Sequence, residues 1–358
     1  MRTYRCTCGG QTFFDNTLCL QCGNELGFCP QCRNLVALVT DGDGGLQCGN
    51  VECNAPLEKC FNYATHQVCN RCVTPDASIA EHLCDCCRFN QIIPDLTIEG
   101  NAKRWYKLEA AKRRLFYELG ELGLPYGTTD DGIDPPLHFD FKGDVLPAND
   151  KWRAVGNTEK VYTSHGNGLV TINIREADDA EREKLRVDMR EKHRTLIAHF
   201  RHEIGHYYWD VLIKGRFEDE FVAVFGDHNN PNYADALKLY YEHGPAANWQ
   251  DHYISAYATM HPWEDFAETW ATYLDMVSTL DTAHHQGFGG YPDAVFANVD
   301  DLVTRYQELG VAMNELNRNQ GLLDLVPEVF VPPVIEKLHY IHELVQRGRR
   351  ENGILQES

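Results

Sequence analysis

The sequence predicts an α+β fold in which a mainly helical domain follows a compact cysteine-rich module. Three observations carry that expectation. All 14 cysteines lie before residue 88, most of them in closely spaced pairs. Two stretches, 137–141 (LHFDF) and 168–175, alternate apolar and polar residues as half-buried strands do. Later segments repeat their apolar residues mostly at helical intervals. A chain of 358 residues suits two or three domains. The expected division is 1–94 for the cysteine module, 95–135 for a connecting helix and 136–350 for the helical domain.

The first ten residues, MRTYRCTCGG, lack the apolar segment of a signal peptide, which predicts a cytoplasmic location. No apolar run approaches the length of a membrane span. In a reducing compartment, so many cysteines argue for metal rather than disulfides. Cys6-x-Cys8 with Cys19-x-x-Cys22 reads as one four-cysteine zinc site, and Cys29-x-x-Cys32 with Cys48 and Cys53 as a second. The third group is over-supplied, with Cys60, Cys69, Cys72, Cys84, Cys86 and Cys87. Spacing alone favours Cys69-x-x-Cys72 with Cys84-x-x-Cys87 there. Two to three structural zinc ions are expected.

Zinc modules that hold nucleic acid need surplus cations. Up to residue 94 the cations are Arg2, Arg5, Arg33, Lys59, Arg71 and Arg88. Against them stand Asp15, Glu25, Asp41, Asp43, Glu52, Glu58, Asp76, Glu81 and Asp85. Each four-thiolate zinc site adds about two more negative charges. The whole chain carries a net charge of −20. Nucleic acid and anionic membranes are therefore disfavoured as partners, and a structural or protein-docking role is favoured for the module.

An irregular connector is expected over 91–101, followed by a helix with Trp105, Leu108, Ala111, Leu115 and Leu119 on one face. Its polar face would carry Lys103, Arg104, Lys107, Lys112, Arg113 and Arg114, read as a solvated face pairing with the acidic remainder ahead of a basic patch for an acidic partner or nucleic acid. In the second alternating stretch Val170, Ile172 and Ile174 share a face. A charged helix or lid is expected over 176–189. The next helix runs to about Lys214 and stops at Gly215. Asn232 can cap a helix over 233–242 that ends at His243-Gly244-Pro245. His284-His285 begins an apparent loop rich in glycine. Closing helices follow over 300–319 and 333–349, and the tail after Gly353 is expected to be disordered.

The helix before Gly215 contains His202-Glu203-Ile204-Gly205-His206, with Leu196, Ile197, Phe200 and Ile204 as its apolar stripe. Histidines four apart share one helical face and can converge on one metal ion, which suits zinc. Glu203 is placed to act as general base toward a metal-activated water. Gly205 costs about 1 kcal/mol against alanine in a helix interior and signals close approach of another element. A third ligand is sought in the segment after Pro262. Glu264 and Glu268 share a face, so that one can bind metal while the other accepts an imidazole N–H. His261 and Asp265 compete for the third position.

The stretches RTLIAHFRHEIGHYYWD, YYEHGP and YISAYATMHPWEDFAETWATYLD resemble the bacterial zinc-binding metallopeptidases that carry an N-terminal zinc ribbon. The resemblance runs from the first cysteines to about residue 285. More distantly, HExxH with a later glutamate helix is similar to the gluzincins. That resemblance implies a zincin-like catalytic domain that hydrolyses peptide bonds in a peptide or protein substrate with one catalytic zinc. It implies His202, His206 and Glu264 as ligands, Glu203 as base, Glu268 as the partner of a ligand histidine and Tyr257 as oxyanion stabiliser. For the third cysteine site it implies Cys60, Cys69, Cys84 and Cys87, leaving Cys72 and Cys86 as extras. Two other readings stand beside it: a protein-interaction scaffold with a latent HExxH site, and a nucleic-acid-associated protease, which the acidic module disfavours.

Overall fold

The computed structural model describes residues 1–143, 163–188, 194–291 and 297–353. The expected tail after Gly353 and the predicted helix end at Met189 lie outside them. The chain is mixed α+β with about 47% helix and 13% strand. It divides into two compact units. The first comprises Met1–Arg114, Phe139–Val161 and Ile172–Glu181, and the second Leu115–His138, Tyr162–Thr171 and Arg182–Ser358.

The first unit opens with the hairpin of β1 (Tyr4–Arg5) and β2 (Gln11–Thr12). An antiparallel five-stranded meander follows: β3 (Leu26–Phe28), β4 (Leu35–Thr40), β5 (Leu46–Cys48), β6 (Pro56–Lys59) and, after the short helix α1 (Phe61–Ala64), β7 (Cys72–Val73). Each of the first two CxxC knuckles ends in a left-handed residue whose N–H bonds back to the first cysteine carbonyl. These residues are Gly23 (φ 77°, 2.8 Å) and Arg33 (φ 54°, 3.0 Å). Glycine adopts that conformation freely, whereas arginine does so at a cost.

The expected irregular connector begins as a strand, β8 (Asn90–Ile92), which runs parallel to β9 (His138–Lys142). Helix α2 (Asn101–Leu122) follows, with Trp105, Leu108 and Ala111 buried in this unit. Its cationic face is not simply solvated. Lys112 and Arg113 are 0% and 1% exposed. Lys112 pairs with Glu109 at 3.0 Å and lies over the rings of Phe139 and Phe141. Arg113 donates to the Val68 carbonyl at 2.7 Å. Nor is β9 half-buried, because Asp140 is as buried as the phenylalanines beside it and pairs with Lys142 at 2.6 Å.

In the second unit, β10 (Ser164–Gly166) pairs antiparallel with the first residues of β11 (Leu169–Asn173). Val170, Ile172 and Ile174 are buried, as their alternation predicts. Helix α3 (Asp179–Asp188) falls within the expected charged segment. Thr195 caps α4 (Leu196–Leu212), which carries the HEIGH motif and ends before Gly215 (φ 69°). Helix α5 (Glu218–Phe225) has no counterpart in the sequence expectations. Asn232 caps α6 (Tyr233–His243), and His261 and Pro262 start α7 (Pro262–His285). Thus His284 and His285 end a helix rather than open a loop. The unit closes with α8 (Val299–Asn319) and α9 (Pro332–Glu351). Helix α7 packs on α4, α5, α8 and α9, so the helical core forms around it. No helix among the described residues is long and apolar enough to cross a membrane.

Close packing of α4 on α7 explains Gly205. A Cβ there would lie 3.0 Å from Ala267 Cα and 3.2 Å from Trp270 Cβ. Gly205→Ala is therefore expected to lower stability by about 1–3 kcal/mol, in spite of alanine's better helix propensity. Thermal unfolding checks this, and an unchanged or raised Tm would refute it.

Candidate metal centre

Thr195 sets the start of α4 by accepting the Ala198 N–H at 3.2 Å, and the helical period then places His202 and His206 on one face. On α7, Glu264 and Glu268 face the same way. Glu264 Oε2 lies 3.0 Å from His202 Nε2 and 3.6 Å from His206 Nε2, and the two imidazole nitrogens are 3.2 Å apart. Ligand atoms on tetrahedral arms of about 2.0–2.1 Å are separated by about 3.3 Å. Glu264 is 2% exposed, and its Oε2 has no hydrogen-bond donor. A buried carboxylate oxygen aimed at two imidazole nitrogens fits a divalent cation.

Surrounding groups fix these side chains. Glu268 Oε1 accepts from His202 Nδ1 at 2.7 Å, leaving Nε2 toward Glu264. Tyr233 donates to Glu264 Oε1 at 2.8 Å. Glu203, beside His202, is 7% exposed. Burial pushes its carboxyl pKa up, against the pull of both imidazoles. The Tyr257 ring centre is 6.2 Å from that of His202. Burial raises the pKa of Tyr257, so it stays protonated.

The competitors for third ligand turn elsewhere. His261 Nε2 points to the His228 carbonyl at 3.1 Å, and Asp265 pairs with Lys337 at 2.7 Å. Three neighbours of the site were not legible in the sequence. His165 on β10 stacks against His206, with rings 6.2 Å apart and 13° from parallel. Burial lowers its pKa to about 3, and its Nε2 accepts the Gly168 N–H at 3.1 Å. Tyr233 is the second. Arg201 is the third: it bonds Glu118 at 3.0 and 2.7 Å and Asp275 at 2.6 Å on the buried side of α4. Motif spacing carried no signal for any of them.

In the first unit the cysteines form three groups of four. Sulfur separations are 3.7 Å for Cys6–Cys22 and Cys8–Cys19, 3.9 Å for Cys29–Cys53, and 3.8 Å for Cys32–Cys48 and Cys69–Cys84. A disulfide requires about 2.05 Å. Tetrahedral arms of about 2.3 Å give edges near 3.8 Å, which is the zinc–thiolate geometry. The third group is Cys60, Cys69, Cys84 and Cys87. Cys72 lies outside it, so the spacing-based pairing with Cys69 gives way. It sits on β7 opposite Lys59, with its sulfur against Gly27. Cys86 is buried and also outside the group.

Three four-cysteine groups ahead of a helical unit with a His-His-Glu triad are the make-up of a zinc protein with two kinds of site. Comparison with known families agrees. Residues 3–98 match a zinc-ribbon domain, and residues 101–344 match the family described as "Putative zinc-binding metallo-peptidase". The chain belongs to that family. It is 36% identical over 355 residues to uncharacterized proteins of Mycobacterium tuberculosis and Mycobacterium bovis, covering 96% of this chain and 95% of each relative. No solved structure matches the chain.

Proposed function

We propose that the protein is a cytoplasmic zinc-dependent peptidase with a zincin-like catalytic domain, acting on peptide or protein substrates. The observation that supports this most is the donor-less Oε2 of buried Glu264, directed at His202 Nε2 and His206 Nε2. His202, His206 and Glu264 would hold the catalytic zinc. When bound, zinc supplies a Lewis acid for the scissile carbonyl and lowers the pKa of water at the site. Glu203 takes a proton from the attacking water and passes it to the leaving amine nitrogen. Glu268 fixes the His202 ring, and Tyr257, whose ring centre lies 6.2 Å from that of His202, would donate to the carbonyl oxygen as charge develops there. The three cysteine groups would hold structural zinc, in an acidic module suited to docking protein rather than nucleic acid.

Zinc-loaded wild type and Glu203→Gln, incubated with a peptide library and read by mass spectrometry, test the reading. Cleavage by wild type is expected to fall at least about 10²-fold in the variant, with zinc content unchanged. Absence of cuts by wild type would transfer weight to the scaffold reading, and full activity in Glu203→Gln would remove the assigned base.

A further inference from the structure

Glu264 has two oxygens in different surroundings. Oε2 faces the two imidazole nitrogens with no donor of its own, whereas Oε1 accepts from Tyr233 at 2.8 Å. A bidentate carboxylate needs both oxygens free to approach the ion, and a hydroxyl bonded to one of them holds it back. Tyr233 is itself held. It follows the Asn232 cap at the first position of α6, and its ring packs on His261 at 5.3 Å. Its one hydroxyl proton is committed to Glu264.

We infer that Tyr233 is a positioning residue that restricts Glu264 to one metal-binding oxygen. This rests on the proposed zinc site. One-oxygen binding leaves the position that a second glutamate oxygen would occupy open for water and for the substrate carbonyl. Losing the Tyr233 hydroxyl would release that constraint, and Glu264 could then close on the ion with both oxygens.

Two measurements on the full chain test this. The first is a crystal structure of the zinc-loaded wild type and of Tyr233→Phe. Wild type is expected to show one Glu264 oxygen on zinc, and the variant two. Two oxygens in wild type, or one in both proteins, would overturn the inference. Zinc absent from His202, His206 and Glu264 in wild type would instead overturn the site on which it rests. The second is zinc affinity by chelator competition, alongside turnover of a peptide that wild type cleaves. Tyr233→Phe is expected to lower kcat about 10–100-fold while KM changes by much less, with zinc bound at least as tightly. A loss of zinc affinity that accounts for the whole loss of turnover would reduce Tyr233 to a structural support and refute the assignment. Tyr257→Phe should leave zinc affinity and the Glu264 geometry as in wild type. A bidentate Glu264 in that variant, with the Tyr233 hydroxyl intact, would also overturn the assignment.

Discussion

Replacing Cys69 with serine is expected to unfold the cysteine-rich unit and to release more than the metal of one site. Cys60, Cys69, Cys84 and Cys87 are 0–1% exposed, and they share their surroundings with buried Arg71, Lys112 and Arg113. Backbone N–H groups of Arg71, Cys84 and Cys87 each approach a sulfur of the group at 3.4 Å. Burial works against the Arg113 charge, and the combined pull of Cys69, Glu109, Cys86 and Asp15 more than restores it. A four-thiolate zinc site carries about two negative charges, which these cations offset. Without it they are left buried beside Glu109, and breaking one buried pair already costs about 3–5 kcal/mol. Structural zinc contributes about 10–16 kcal/mol of folding free energy, against total domain stabilities of about 5–15 kcal/mol. Zinc content and limited proteolysis read the outcome. Cys72→Ser and Cys86→Ser should keep the full zinc content, and so serve as controls for thiol loss. Cys22 is exposed in the first group, so Cys22→Ser should lose one zinc with much less damage. A Cys69→Ser protein with unchanged zinc and protease resistance would show that the third group is not a metal site.

Much of the candidate site was legible because local spacing determines it. Histidines four apart on an amphipathic segment, and glutamates four apart after an N-terminal proline, define helix faces without reference to anything distant. The choice of Glu264 over Asp265 was legible only in part, since both are acidic and one residue apart. Lys337, far along the chain, decides it by pairing with Asp265. Tyr233 and His165 approach the site from α6 and β10, and no periodicity links them to HEIGH. Likewise the polar face of α2 reads as solvated because charged residues normally are. Lys112 and Arg113 are exceptions, since an anionic cysteine group and Glu109 lie where the sequence gives no distance information. Helix α5 is only eight residues long, too short for its apolar spacing to stand out.

Glu264→Ala is expected to remove the catalytic zinc alone, leaving the other zinc content intact and hydrolysis at background. Two imidazoles without the carboxylate form an incomplete donor set for zinc, which takes three protein ligands in open sites. The fold should survive, because the buried side of α7 is built by Phe266, Trp270, Tyr273 and Leu274, all 0% exposed. Tyr233 would lose its acceptor, a cost of about 1–3 kcal/mol. Glu268→Ala should act more gently, since it orients His202 without supplying a ligand atom, and should weaken zinc binding about 10–100-fold. Asp265→Asn provides the opposite pattern. It strands buried Lys337, so Tm should fall, while zinc content should not change. Zinc content and Tm measured together on the three variants therefore separate the roles of residues within a single helical turn. Full zinc content in Glu264→Ala would remove the third ligand from the proposal, and loss of one zinc in Asp265→Asn would transfer that role one residue along α7.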